Sequence, residues 1–443
     1  MPGSCAPETR EFLFATWEGG GSVTPALTAA RRLLARGHRV RFMSDACNRP
    51  ETEAAGLEFV PWQRAPSRPD KSIGTDLLRD WEESTTAGGF ARLRDAIMCG
   101  PALGYALDTL AELERRPAEL LVGSEMLFGV MVAAEARSQP LALLAVNLSI
   151  FPLVPGLPPF GAGLAPARDE ADRQLHAEVA AAGEALFAEG LPAVNAARSA
   201  LGLPPLAGLL DQLAAAGRIL LATSSAFDFP TGRLPERLRY VGPQLGEPPW
   251  AEPWVSPWPA GDPRPLVLVA FSTSFQDQTA IVQRTIDALA GLPVRGLVTL
   301  GPALPGDALH PAANVVIRRS APHDAVMREA SLVVCHGGHG TVTRALSHCR
   351  PLLCVPMGRD QDDNAVRVVT RGAGLSLPVE SDPATIRSAL RRLLEEPGFR
   401  AAAETLGAAV AAEATAPTVV DELEALAGTP SGAVPQAAVS PAA

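Results

Sequence analysis

The apolar run Leu332-Val-Val-Cys335 passes without a spacer into His336-Gly-Gly-His-Gly-Thr341, and a helical pattern from Gly340 to His348 follows at once. A strand feeding a glycine-rich turn that opens a helix commits the chain to a parallel βα unit with right-handed crossovers. The same order opens the sequence. Phe12–Thr16 reads as a strand, Gly19-Gly20-Gly21 as a turn, Pro25–Ala35 as a helix and Arg39–Met43 as a second strand. Pro25 suits a first helical position and Gly37 a helix stop.

Further strands are expected at Leu120–Val122, Leu141–Val146, Ile219–Ala222 and Arg239–Val241, with alanine-rich helical stretches such as Asp172–Ala188 between them. Gly242 to Pro265 then holds eight prolines and three tryptophans and shows little periodicity, which marks a linker. Beyond it the alternation restarts: strands at Leu266–Phe271, Gly296–Leu300, Asn314–Ile317, Leu332–Cys335 and Leu352–Val355, and helices at about Gln276–Ala290 and His323–Glu329. The fold class expected is α/β with two doubly wound halves. The halves run over 1–241 and 266–428, joined by a linker over 242–265 and followed by a disordered tail over 429–443. At about 150 residues per domain, 443 residues agree with two or three domains.

Charge narrows the partners. The net charge of −10 is the wrong sign for a nucleic-acid duplex or an anionic bilayer. Lys71 is the only lysine, so nearly every basic side chain is an arginine. Six cysteines are too few to staple a chain of this length, and the longest apolar stretch, Leu141–Phe160, is broken by Asn147, Ser149 and four prolines. With only Phe12–Ala15 as an early apolar run, the expectation is a cytoplasmic protein with no signal peptide and no membrane span.

Three loops can carry chemistry. A helix N-terminus presents unpaired N–H groups and about half a positive charge, and glycines let an anion approach, so His336–Thr341 reads as a phosphate cradle with His336 and Thr341 as side-chain donors. Ser272-Thr-Ser274 follows another strand, where its hydroxyls either cap a helix or face the same anion. Asp360-Gln361-Asp-Asp-Asn364 opens a further helix; its acidic residues either complement the helix dipole or, through Asp360 and Gln361, meet the hydroxyls of a polyol. Consecutive helical positions do not face together, so Asp360 and Asp362 make a poor metal site. Cys335, His336, His339, His348, Cys349 and Cys354 lack a zinc-type spacing and read as packing. The first turn fits a dinucleotide fingerprint badly, because Thr24 stands in place of the third glycine.

Taken together, Gly19–Pro25, Arg36-Gly-His-Arg-Val40, His336–Thr341 and Asp360–Asn364 resemble the GT-B glycosyltransferases of the bacterial family that acts on macrolides, other polyketides and aromatic natural products, relatives of the UDP-glycosyltransferases. The resemblance extends to about residue 425. It implies two facing Rossmann-like domains, with the acceptor on the first and the nucleotide sugar on the second. It implies inverting, metal-independent transfer of a hexose from a UDP- or dTDP-sugar to a lipophilic small molecule, with no cofactor and with a homodimer among the assemblies it admits. His336, Gly338, Gly340 and Thr341 would hold the diphosphate with Ser272 or Thr273, Ala321 and His323 would line the base, and Asp360 and Gln361 would bind the sugar. The last helical segment, Phe399–Ala427, would cross back to the first domain.

One departure bears on catalysis. The family commonly places a histidine in the first turn as general base, oriented by an aspartate near residue 124, whereas here those positions hold Ser22 and Ser124. A serine hydroxyl keeps its proton at neutral pH, so Glu18 or Glu125 becomes the candidate base, or else the acceptor is acidic enough to need none. A non-catalytic member that binds a nucleotide sugar or a lipophilic molecule is the alternative. Met126, Phe128, Phe151 and Phe160, with Ser124, are the candidate acceptor wall.

Overall fold

A computed structural model describes residues 8–83, 85–247, 253–271, 274–301, 304 and 308–428. Seven strands build the first sheet: β1 (Glu11–Ala15), β2 (Arg39–Ser44), β3 (Glu58–Pro61), β4 (Leu120–Ser124), β5 (Leu141–Ala145), β6 (Arg218–Leu221) and β7 (Leu238–Tyr240). Six build the second: β8 (Leu266–Ala270), β9 (Arg295–Thr299), β10 (Val315–Arg318), β11 (Ala330–Cys335), β12 (Leu352–Cys354) and β13 (Gly374–Ser376). The orders are β3-β2-β1-β4-β5-β6-β7 and β10-β9-β8-β11-β12-β13. Every pairing is parallel.

Helices cover both faces of each sheet, which is why the strands read as unbroken apolar runs. Alternate residues serve opposite faces. On the first sheet Leu13, Met43, Leu121 and Leu143 enter one core, and Phe12, Phe14, Phe42, Val122 and Leu144 enter the other. On the second, Val267, Val269 and Val334 point one way, while Leu266, Leu268, Val333 and Cys335 point the other.

Two strands escaped the sequence reading. β3 and β13 are edge strands of four and three residues, and neither contains a fully apolar run. The last helical segment also differs from expectation. It is two helices, Pro397–Thr415 and Thr418–Ala427, because Pro417 removes a backbone donor and its ring clashes with the preceding turn. Only the second lies against the first sheet, where Val419, Val420, Leu423 and Leu426 join the core of Phe12 and Phe14.

His38 is held in that contact. Arg10 N donates to its Nδ1 at 3.3 Å, so Nε2 carries the proton and donates to Glu424 at 2.9 Å. The role is structural. The described parts of the 242–265 stretch contain no helix or strand. Gln244 there bonds Arg32 at 2.9 Å, and Gly246 O accepts from Arg344 at 2.6 Å, so the connection is tied to both halves.

Candidate active site

In an open sheet, ligands bind outside the carboxyl ends of the strands where the order reverses. In these two sheets that point lies after β1 and β4, and after β8 and β11. The loops following β1, β8 and β11 line one cleft of about 1050 Å³. From the first half it takes Trp17–Ser22, Lys71, Trp81 and Phe90; from the second it takes Phe271, His336, Gly340 and Met357–Gln361.

The second wall is built on the glycine turn. Gly337 sits at φ +89°, and a Cβ there would lie 2.9 Å from Gln361 O, so the turn requires glycine. Gly338 is the N-cap of the helix His339–Ser347 and no side chain caps it. Gly340 is exposed, with nothing within 4 Å of where its Cβ would be, so the start of this helix opens onto the cleft. His336 lines it too. Burial, and then the Arg359 charge, lower the His336 pKa to about 3, and its buried Nδ1 has no hydrogen-bond partner among the described residues. A neutral ring with one free nitrogen suits a donor to an anion, and the helix terminus supplies positive potential beside it.

His339, only three residues on, has another task. Its Nε2 lies 2.8 Å from Thr223 Oγ1, which follows β6, so it fastens the glycine turn to the first half. Burial lowers its pKa to about 3. Thr341, Ala321 and His323 line the cleft, with His323 Nε2 3.2 Å from Thr299 Oγ1 and its pKa lowered to about 4 by burial. Ser272 and Thr273 lie outside the described residues.

Asp360 is the N-cap of the helix Gln361–Thr370 and accepts from Asn364 Nδ2 at 2.8 Å. Burial raises its pKa. Gln361 also lines the cleft, yet its carboxamide is engaged within the protein: Oε1 accepts from Met357 N at 2.7 Å and Nε2 donates to Gln276 at 2.9 Å. It therefore fixes two cleft loops to one another.

The first wall separates the candidate bases. Glu18 lines the cleft; its Oε1 accepts from Gly20 N at 2.8 Å, and its backbone N–H donates to Asp45 at 2.8 Å. Ser22 lines it as well, at the N-cap of the helix Val23–Ala35 with no capping bond from its hydroxyl. Glu125, the other candidate base, and Ser124 are buried and form no part of the cleft lining. Ser124 Oγ donates to Glu125 at 3.3 Å, and burial pushes the Glu125 pKa up to about 7. The acceptor wall needs the same correction. Met126 and Phe160 line the cleft, but Phe128 and Phe151 pack on one another at 6.0 Å inside the first core, because they are large apolar rings with a buried face available.

Sequence reasoning missed the residues that join the two halves. Arg359, at φ +58°, pairs with Asp80 and donates to Ser274 Oγ at 2.9 Å, and Trp81 meets Phe275 edge-on at 5.2 Å. Asp363 accepts from Gly161 N at 2.8 Å, and Asp228 pairs with Arg367 at 2.8 Å. A lone arginine or aspartate in a loop carries no signal of a partner more than a hundred residues away.

Residues 284–426 match the family described as erythromycin biosynthesis protein CIII-like, C-terminal domain. The 4'-demethylrebeccamycin synthase of Lentzea aerocolonigenes is 30% identical over 424 residues, covering 94% of this chain and 99% of that protein. The demethyllactenocin mycarosyltransferase of Streptomyces fradiae is 25% identical over 90% of this chain and 82% of its own. Among solved structures, the glycotransferase of kitacinnamycin superposes with a TM-score of 0.73 at 20% identity, over 95% of this chain and 99% of that one. CalG4, the calicheamicin glycosyltransferase, does so at 0.68 and 21%, over the same shares. The fold is thus GT-B, and the near full-length likeness to the rebeccamycin enzyme shows that the chain belongs to the natural-product glycosyltransferases.

Proposed function

We propose that this glycosyltransferase moves a hexose from a UDP- or dTDP-sugar to a lipophilic small molecule such as a polyketide or aromatic natural product, with inversion and without a metal ion. One observation carries the reading: a single cleft is lined on one side by an open helix N-terminus at Gly340 and on the other by the carboxylate of Glu18. In the proposed division, residues 1–241 take the acceptor and 266–428 the donor.

The diphosphate lies against His336, Gly338, Gly340 and Thr341, the base beside Ala321 and His323, and the sugar beside Asp360. As the acceptor oxygen bonds to the anomeric carbon, the bond from that carbon to the diphosphate breaks and the departing oxygens gain charge. A helix terminus aimed there stabilises the transition state more than the ground state. Glu18 takes the acceptor's hydroxyl proton and releases it to solvent after the product leaves. A general base contributes roughly 10² to 10⁴ in rate, which explains the need for a carboxylate where Ser22 stands in the turn. Aromatic groups on the rim, Trp81, Phe90 and Phe160, suit an apolar acceptor.

The test is a mass-spectrometric screen of UDP- and dTDP-sugars against neutral alcohols and phenols. A product heavier than the acceptor by one hexose residue is expected; thermal shifts with nucleotide sugars but no product in any combination contradict transfer.

A further inference from the structure

The only lysine of the chain reaches the Glu18 turn. Lys71 Nζ lies 2.7 Å from Glu51 Oε1 and 3.6 Å from Glu18 Oε2, and it lines the cleft. Glu18 Oε2 is buried and accepts no hydrogen bond from the described residues, while Oε1 is held by Gly20 N. One carboxylate oxygen is therefore fixed, and the other is ionically paired but free to accept a proton.

The residue type matters here. An arginine's planar fork would satisfy both oxygens of a carboxylate in two parallel hydrogen bonds. A lysine is a compact point charge; at 3.6 Å it pairs with the carboxylate without occupying the lone pairs. Burial works against the lysine's own charge, but Glu18 and Glu51 outweigh it and raise its pKa, so the cation persists at neutral pH.

We propose that Lys71 is a positioning residue for transfer: its ammonium is the counter-charge that holds the Glu18 carboxylate in place at the cleft wall, and Glu51 tempers that effect by sharing the same ammonium. This rests on the reading of Glu18 as the base. The other titratable or charged groups around Glu18 are Asp45, which accepts its backbone N–H, Arg68, whose backbone N–H also bonds Asp45 at 2.9 Å, and the thiol of Cys47, kept neutral by burial. Across the cleft stand His336, His339, Arg344 and Asp360. Arg68 is turned away, toward Asp76 at 3.4 Å, so Lys71 is the cation that faces the carboxylate from the first half.

The test is the pH profile of kcat at saturating donor with a neutral alcohol acceptor, for the wild type, Lys71→Met, Lys71→Arg and Glu51→Gln. An opposite charge at this range moves a carboxylate by about one pH unit or more. Lys71→Met is expected to shift the acidic limb upward by that amount, lowering kcat about tenfold at the acid end and little above pH 9. Lys71→Arg keeps the limb at or below its wild-type pH but lowers kcat at every pH, because the fork occupies the carboxylate's lone pairs, and Glu51→Gln moves the limb to lower pH. Calorimetric affinity for UDP and dTDP stays unchanged in all three. An unmoved limb in both Lys71→Met and Glu51→Gln overturns the proposal, and Glu51→Gln decides alone if Lys71→Met fails to fold. Failure of the underlying reading looks different: Glu18→Gln then keeps full turnover.

Discussion

Arg359 reaches across the cleft from the second half and grips the Asp80 carboxylate of the first with both Nε and Nη2. The neighbouring rings of Trp81 and Phe275 meet at 87°, so one polar and one aromatic contact close the same edge of the cleft. Closure positions donor and acceptor and excludes water. Asp80→Asn leaves the largely covered guanidinium without its counter-ion, and kcat/KM is expected to fall by roughly tenfold. Steady-state kinetics check this, with circular dichroism unchanged.

His336 is kept neutral, so its contribution is a hydrogen bond and not a charge. His336→Ala should lower turnover by at least about tenfold, as removal of one donor to a developing anion does. Because the ring does not titrate above about pH 3, the loss should be equal from pH 6 to pH 9. A loss confined to the acid side contradicts the assignment.

Two glycines of one turn should respond in opposite ways. Gly340→Ala adds a methyl where the protein leaves open space. Helix propensity then favours alanine by about 0.5–1 kcal/mol, so melting should be unchanged or higher. The donor KM should nevertheless rise about tenfold or more, because the methyl stands in the diphosphate's place. Gly337→Ala faces a left-handed φ of +89° and a carbonyl at 2.9 Å, and should melt lower.

Glu125 offers a pH-dependent test of stability rather than of activity. Its carboxyl is raised to about 7 by burial, against roughly 4.3 in an unfolded chain, so the folded state holds that proton more tightly. The stability it contributes is complete below about pH 4 and is lost as pH rises through 7. Glu125→Gln should therefore melt higher than the parent at pH 8.5, by roughly 3 °C or more, with the gap closing near pH 5. Thermal melts at the two pH values check this, and transfer activity should be retained.

The parallel sheets were legible because strands buried on both faces need long apolar runs, and the runs before Thr16 and His336 end in glycine turns. The short edges β3 and β13 had no such run to reveal them. The glycine cradle was legible for the same local reason: Gly337 and Gly340 act within one turn. Depth was not legible. Glu125 follows a strand at the carboxyl end of the sheet and looks available in sequence, but it is buried and no part of the cleft lining, whereas Glu18 lines the cleft. Contacts such as Arg359 with Asp80 span 279 residues and depend on how the two sheets face each other, which no local pattern records.

The start of the helix at Gly338–Thr341 is the proposed seat of the nucleotide diphosphate. Isothermal titration of UDP and of dTDP into the wild-type protein and into Gly340→Ala tests it most directly. Saturable binding of at least one of the two nucleotides, weakened about tenfold or more by the added methyl, is the expected result. Absence of heat for both nucleotides, or equal affinity in the two proteins, contradicts it.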